Sequence, residues 1–340
     1  MKDFSVLMTS CSPRKNGLIH CLKDNGDGVN VKVYCTNCRE EELPSPNVCD
    51  GAYLVPRNDA PDYIDVLLHL CNMLEVDILM PRLSSELEVI SRNKHRFAQI
   101  GVKVAVTDYD GLVIANDKNQ LYSLYGDLMP MQMVGSSSKD VEEFAKRYPQ
   151  FCCKLPHSSG AAGFAIVDDK LCDKVNLFHA YGYKHYISKD HLCRIVENQK
   201  LDYILQELVD GYDYTVSLIA DHGVITHMVG YVGYEMEFSC IMCGEVKPND
   251  EAFKIATRIV KDLRLDGNIG IDFILRHDGS VVLLEVNPRM NASLPFVAKA
   301  GCNMPYLQCK RLLGYDIRSE GQEIQVGLKM RKNYVSEYFF

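Results

Sequence analysis

The sequence predicts an α/β unit followed by α+β units, and three observations carry that reading. Short apolar runs alternate with helix-period segments through the first third of the chain. Strand–turn–strand patterns dominate the last third. Between Gly270 and Met290, "GIDFILRHDGSVVLLEVNPRM" reads as a hairpin that keeps Asp272, Glu285, Asn287 and Arg289 among its hydrophobes.

Taken in order, "FSVLMTS", "VNVKVYC", "AYLVP", "DILMP" and "VKVAVTD" read as strands. Between them "NGLIHCLKDN", "PDYIDVLLHLCNMLEV" and "ELEVISRNKHRFAQIG" read as helices. Strands alternating with helices of that length predict a parallel sheet wrapped by helices, placed at residues 1–110. Over 111–205 the character changes. A helix is expected from Asp117 to Leu128, then a strand, a polar loop and a second helix in "MPMQMVGSSSKDVEEFAKRYP". Strand, small-residue loop and strand follow in "QFCCKLPHSSGAAGFAIVDD". Residues 206–320 form a third unit, opened by "DYILQELVDGYDYTVSLIADHGVITHMVGYV" as three strands joined at Asp-Gly and His-Gly turns. It continues through the helix "NDEAFKIATRIVKDLRL", the hairpin, and the helix "NMPYLQCKRLLGYD". The tail, 321–340, reads as a strand and an exposed end.

Composition bounds the function. A chain of 340 residues has room for two or three compact cores. Its 47% hydrophobic and 24% charged content is ordinary for a globular protein. No stretch approaches the roughly 18 apolar residues of a membrane span, so no membrane partner is expected. "MKDFSVLMTSCSPRK" reads as a first strand rather than a secretion signal. The net charge of −8 argues against nucleic acid as a partner. Fourteen cysteines without a secretion signal imply reduced thiols in the cytoplasm. The pairs Cys35/Cys38 and Cys240/Cys243 have zinc-like spacing, but no second pair stands near either one, and chance spacing is the reading preferred.

The hairpin carries the chemistry. Asp278-Gly279 is the preferred centre of a two-residue type I′ turn. The resulting register sets Asp272 opposite Glu285, about 5 Å apart between β-carbons. Asn287 shares that face, with Gly270 opposite it and open space expected there. The other face is a complete apolar set: Ile271, Phe273, Leu275, Val282, Leu284 and Val286. Like charges opposed across a sheet are destabilising unless something positive lies between them. Two acids and an amide oxygen suit Mg²⁺, which takes a few protein oxygens and completes its shell with water and phosphate. Arg289 adds a fork of donors for a phosphate or carboxylate. The plainer alternative is a solvated face. A second feature weighs against it: Lys154 and the loop Ser158-Ser159-Gly160-Ala161-Ala162-Gly163 would let a backbone approach phosphate closely. The loop opens no helix and is neither a Walker A nor a dinucleotide fingerprint. Metal face and loop together point to a nucleoside triphosphate.

With both in view the chain resembles the ATP-grasp superfamily, and most closely a single ATP-grasp half of the carbamoyl-phosphate synthetase large subunit. The stretch "LLEVNPRMNASLPFVAKAGCNMPYLQCKRLLGYDI" carries the resemblance, through its Glu-x-Asn-Pro-Arg core, Ala-x-Lys-Ala-Gly and closing Leu-Gly-Tyr. It implies a Rossmann-like pre-ATP-grasp domain followed by the two-subdomain ATP-grasp fold. By that resemblance Glu285 and Asn287 are metal ligands, Asp272 stands at a further metal-binding position, and Arg289 contacts the transferred phosphoryl group. Lys154, Ser158, Ser159, Gly160 and Gly163 belong to a lid over the triphosphate, and Lys118 is a phosphate contact. Glu207 and Val209 lie at the hinge whose backbone reads adenine, and Asp213 binds ribose. The cofactors implied are ATP and a pair of Mg²⁺ ions, or Mn²⁺ in their place. A homodimer through the first domain is also implied.

Two features depart from the family pattern: the chain carries one ATP-grasp half, not two, and its loop "TSCSPRKNG" lacks the usual early glycine. The activity expected is that of a ligase joining a small carboxylic or amino acid to an amine through an acyl phosphate. The alternatives are an ATP-grasp enzyme with another acceptor, such as bicarbonate or a peptide, working with a partner, and a nucleotide-binding module without catalysis.

Overall fold

The computed structural model describes residues 1–13, 16–155, 163–172, 185–237, 240–336 and 338. Three sheets account for its strands. The first contains β1 (Phe4–Met8), β2 (Val31–Asn37), β3 (Gly51–Leu54), β4 (Ile78–Met80) and β5 (Lys103–Val104), all parallel, in the order β3-β2-β1-β4-β5. Alternation along β1 sends its side chains to both faces. Val6 and Met8 join a core with Leu18, Ile19 and Leu22 of the helix Gly17–Lys23. Leu7 joins a second core with Leu67 of the helix Tyr63–Met73 and Ile90 of the helix Ser84–Arg92. A sheet apolar on both faces has to be covered twice, which is why its strands read as continuous apolar runs.

The second sheet contains β6 (Gln132–Gly135), β7 (Phe151–Lys154), β8 (Phe164–Val167), β9 (Tyr186–Ile187) and β10 (Tyr203–Glu207), in the order β6-β10-β7-β8-β9. Phe151, Cys153 and Leu205 pack against Val141 and Phe144 of the helix Ser138–Arg147, and against Leu192 and Val196 of the helix Lys189–Gln199. By the same alternation Lys154 belongs to the opposite face.

The third sheet is antiparallel. It contains β11 (Tyr212–Asp221), β12 (Val224–Glu237), β13 (Cys240–Val246), β14 (Gly267–Leu275), β15 (Val281–Asn287) and β16 (Lys329–Arg331), in the order β15-β14-β11-β12-β13-β16. The helix Asp250–Asp262, capped by the Asn249 side chain, packs Ala252, Ala256, Ile259 and Val260 beneath Tyr214, Val216, Leu218, Ile271 and Phe273. The face opposite that core carries Thr215 and Asp272, directly paired across β11 and β14.

Several elements differ from expectation. The long helix expected before Gly101 is two, Ser84–Arg92 and Lys94–Gln99, broken at Asn93, whose side chain donates to Val89 O at 2.8 Å instead of continuing the helix. Tyr109–Asn116, Lys189–Gln199 and Leu294–Lys299 are helices that the pattern did not reveal. Gly111 in the first of these runs against Leu263, whose carbonyl oxygen lies 2.1 Å from where a β-carbon would sit. Close approach, not helix propensity, selects glycine there.

The hairpin turn also differs. Arg276 O accepts from Gly279 N–H at 3.0 Å and Ser280 O accepts from Arg276 N–H at 2.9 Å, with Gly279 at φ 90°. That is a three-residue loop with glycine in the left-handed position, not a two-residue type I′ turn. Asp278 explains the choice: its carboxylate accepts from Ser280 N–H at 3.0 Å and Ser280 Oγ at 2.7 Å. Among the described residues no helix is long and apolar enough to cross a membrane.

Candidate active site

The longer turn shifts the register by one, so that Leu275 pairs with Val281 and Phe273 with Leu283. A β-bulge at Leu284 then shifts it back, and Asp272 faces Glu285 as expected, with Gly270 facing Asn287. Leu283 therefore takes the core position and is fully buried, while Leu284 is half-buried and stands outside the core. The expected space beside Gly270 is also filled. Asn291 Nδ2 lies 2.9 Å from where a β-carbon would be, and its amide donates to Ser217 Oγ at 2.8 Å.

On the polar face the Asn287 amide sits between the two acids, donating to Asp272 Oδ2 at 2.8 Å and Glu285 Oε1 at 3.2 Å. Thr215 Oγ1 donates to Asp272 Oδ1 at 2.7 Å. Arg289 Nη2 donates to Asn287 Oδ1 at 3.3 Å, and its Nε to Ser84 Oγ at 2.9 Å, which ties the site to the first sheet's unit. Lys118, the first residue of the helix Lys118–Tyr125, brings its Nζ to 3.6 Å from Glu285 Oε2. Lys154 donates to Gln206 Oε1 at 2.6 Å, and Gln206 in turn to Gln132 at 3.0 Å, so the middle sheet aims its ammonium with a chain of amides.

The charges act on one another. Burial and the neighbouring Glu285 push the Asp272 carboxyl up to about 7, against the pull of Thr215. Burial works the same way on Glu285, but Lys118, Lys154, Asn287 and Arg289 together outweigh it and hold that carboxyl below its ordinary range. Burial lowers the pKa of the Lys154 ammonium. One acid is thus an anion fixed by cations, and the other sits poised between its two states. The donor set fits a divalent cation. Asp272, Glu285 and the Asn287 amide converge as hard oxygen donors, and a cation between the acids would remove the repulsion that raises Asp272. The amide would then have to present its oxygen in place of the nitrogen.

Thus Asp272, Glu285, Asn287, Arg289, Lys118 and Lys154 come together around one face, and Asp213 lies near enough for its charge to bear on Asp272. Glu207 ends β10. Its N–H donates to Met131 O at 2.8 Å and its carboxylate accepts from Met131 N–H at 3.3 Å, so the residue is pinned to the strand before it. Val209 is half-buried in the segment leading to β11. Gly163, at φ 72°, accepts from Leu155 N–H at 3.0 Å. Ser158, Ser159 and Gly160 lie outside the described residues.

Sequence reasoning missed Thr215, Gln206, Gln132 and Asn291. The first was legible, since Asp213, Thr215 and Ser217 alternate as a polar stripe along β11. Of the cysteine pairs, Cys35 is buried and Cys38 exposed. Among the described residues no cysteine belongs to a cluster that could hold a metal.

Two family models match the chain. Residues 6–105 match the model of the PylC-like N-terminal domain, and residues 199–335 match that of ATP-grasp in the biosynthetic pathway with Ter operon. The order of the two matches, a PylC-like region and then an ATP-grasp region, follows the order of the parallel sheet and the antiparallel sheet. The chain is also similar to the carbamoyl phosphate synthase arginine-specific large chain of Geobacillus stearothermophilus, at 23% identity over 323 residues. The match covers 85% of this chain and 29% of that one, so the chain spans less than a third of its relative's length.

Among the solved structures that share the fold are a biotin carboxylase domain and an L-amino acid ligase. The biotin carboxylase domain dimer of Hydrogenobacter thermophilus 2-oxoglutarate carboxylase, in complex with MgADP, ADP and bicarbonate, matches with a TM-score of 0.68 at 13% identity, over 96% of this chain and 73% of that one. The L-amino acid ligase of Bacillus licheniformis matches with a TM-score of 0.66 at 13% identity, over 95% and 78%.

Proposed function

We propose that the chain is an ATP-dependent carboxylate–amine ligase that activates a small carboxylic or amino acid as an acyl phosphate. The observation that carries the reading is the Asp272–Glu285 pair, flanked by Lys118, Lys154 and Arg289 on a face assembled from all three sheets' units. Fixed anions support a divalent cation, and fixed cations facing the same space support the triphosphate. Similarity to an L-amino acid ligase and to a carboxylase domain holding MgADP is consistent with that chemistry.

In the first step a carboxylate oxygen of the acid attacks the γ-phosphorus of ATP, the bond to the β-phosphate oxygen breaks, and ADP leaves. Lys118 and Lys154 offset the charge on the phosphates, and Arg289 steadies the transferred phosphoryl group and then the acyl phosphate. In the second step an amine attacks the acyl carbon, phosphate leaves with the C–O electron pair, and the amine's proton passes to solvent. Asp272, Glu285 and Asn287 would hold Mg²⁺, which supplies charge neutralisation along the triphosphate. Glu207 and Val209 present backbone groups to adenine, Asp213 meets the ribose, and Ser158, Ser159, Gly160 and Gly163 contact the phosphates.

The test is phosphate release from Mg-ATP across a panel of carboxylic acids, with hydroxylamine as the common acceptor. Hydroxylamine traps an acyl phosphate as a hydroxamate, so the natural amine need not be known. A hydroxamate formed from one acid establishes the class. ATP turnover that depends on bicarbonate and yields no hydroxamate replaces it with a carboxylating reaction.

A further inference from the structure

Strand order in the first sheet reverses at β1: β2 and β3 extend to one side of it, β4 and β5 to the other. The crevice beyond the carboxyl ends of the two strands flanking such a reversal is open to ligands, because the connecting segments leave it in opposite directions. Its walls here are Thr9 and Ser10 after β1, and Pro81 and Arg82 after β4. One fully buried acid, Glu86, holds the walls in place. It accepts from Thr9 Oγ1 at 2.7 Å, from Ser10 Oγ at 3.1 Å, and from the N–H groups of Arg82 and Leu83 at 2.7 and 2.8 Å. Ser10 is kept in the left-handed region, at φ 51°, where serine is uncommon.

The Arg82 side chain is anchored less completely, by a hydrogen bond to the buried Cys11 thiol. It is 6% exposed, and its Nη1 is buried without a hydrogen-bond partner. Buried donors are almost always bonded, and a charged one left open marks a position for an acceptor that arrives with something else. The crevice adjoins the active site. Ser84, two residues beyond Arg82, binds Arg289 Nε at 2.9 Å, and the Arg82 charge is felt at Arg289. A ligand lying between the two guanidiniums would have one end beside the metal-binding face and the other at the crevice.

We infer that Arg82 binds a second anionic group, a carboxylate or a phosphate, of the acid whose reacting carboxylate lies beside Arg289. The inference rests on the ligase reading and narrows it, since the substrate is then a dianionic acid and not a simple or zwitterionic one. A guanidinium suits the task because its planar fork meets either group through two parallel hydrogen bonds. Nearly complete burial removes the pair from water, so a substrate lacking the second anion leaves a charge unpaired and is rejected.

The experiment compares acids in pairs, each monocarboxylic acid against the same skeleton bearing a second carboxylate or a phosphate. The wild type is set beside Arg82→Met and Arg82→Lys, with Mg-ATP affinity measured in parallel to show that each variant is folded. Wild-type hydroxamate formation should be confined to the dianionic members, and which members respond separates carboxylate from phosphate. Arg82→Met should raise KM for the responding acid on the order of 100-fold, with kcat and Mg-ATP affinity little changed, and Arg82→Lys should recover part of the loss. An unchanged KM in Arg82→Met, or equal use of the monocarboxylic acids by the wild type, overturns the inference and leaves the ligase reading standing. If the wild type forms no hydroxamate at all, the ligase reading fails, and binding of the same acids in the presence of Mg-ADP, read as a thermal shift, decides the site. A shift with dianionic acids that Arg82→Met abolishes upholds an anion site, and its absence ends the proposal.

Discussion

Glu285 and Asp272 are chemically similar acids in one pair, yet their surroundings set them apart. Lys118 and Lys154 hold Glu285 as an anion, whereas burial and that anion push Asp272 up to about 7. Replacing Glu285 by Gln removes the anion and keeps the shape. Turnover of Mg-ATP should fall on the order of 100-fold or more, while the melting temperature in chelator falls, because Lys118, Lys154 and Arg289 lose their anion. Steady-state kinetics alongside melting would decide it, and an unchanged kcat would remove Glu285 from the site. Asp272 supplies a pH test. Its native carboxyl keeps a proton up to about 7, whereas an unfolded aspartate releases it near 3.9, roughly the model-peptide value. Between those values the native state binds more protons, so metal-free stability should fall as pH rises through that window. Asp272→Asn should flatten the slope, and saturating Mg²⁺ should flatten it in the wild type. Melting curves from about pH 4 to about pH 8 in chelator read this directly, and an equal slope in both proteins would mean that Asp272 is ionised throughout.

At the scale of the element, the hairpin shows how a sequence can specify a site while misdirecting its details. Asp278-Gly279 reads as a type I′ turn, but the carboxylate of Asp278 binds Ser280 and draws the chain into a longer loop. The register error that follows is cancelled at Leu284, where a bulge puts one more residue into β15. Asp272 and Glu285 meet because both deviations occur, and alternation alone could reveal neither of them. The apolar periods of β1, β11 and the helix Asp250–Asp262 were legible because each has one or two faces to bury. The helix Lys189–Gln199 escaped notice because charges interrupt its apolar stripe and its start is marked only by the Ser188 cap. Gly279 tests the turn. Its φ is 90° and nothing lies within 4 Å of where a β-carbon would be, so Gly279→Ala meets backbone strain and no clash. It should cost about 1 kcal/mol in chemical denaturation. A neutral result would show that the loop relaxes to another turn.

Across the whole molecule, the packing divides differently from the chain's three sheets. One core joins Val6 and Met8 of the first sheet to Tyr231 and Val246 of the third, through Leu294, Val297 and Met304 of the helices between. Polar links reinforce that union. Lys310 pairs with Asp27 at 2.7 Å, and Thr107 Oγ1 donates to Asp266 O at 2.7 Å. The middle sheet has its own core of Val141, Phe144, Phe151, Val167, Leu192, Val196 and Leu205, and shares none of these residues with the others. Sequence patterns foretold the separate sheets but not this pairing, because contacts between distant helices leave no period in either one. Elements without a common core have little reason to unfold together. Without nucleotide, amides of β6, β7 and β10 should therefore exchange with solvent well before those of β1 and β12, which sit in the joint core. Mg-ATP would link Lys154 on the middle sheet to Lys118 and Glu285, and at 100 times its dissociation constant it should stabilise the bound state by about 2.7 kcal/mol. That gain should appear as slower exchange in the middle sheet first, since only there does opening break the bound state without unfolding the rest. Hydrogen exchange with and without nucleotide separates the cases. Uniform protection across all three sheets would mean that the molecule opens as one unit, and that the middle sheet depends on contacts beyond its own core.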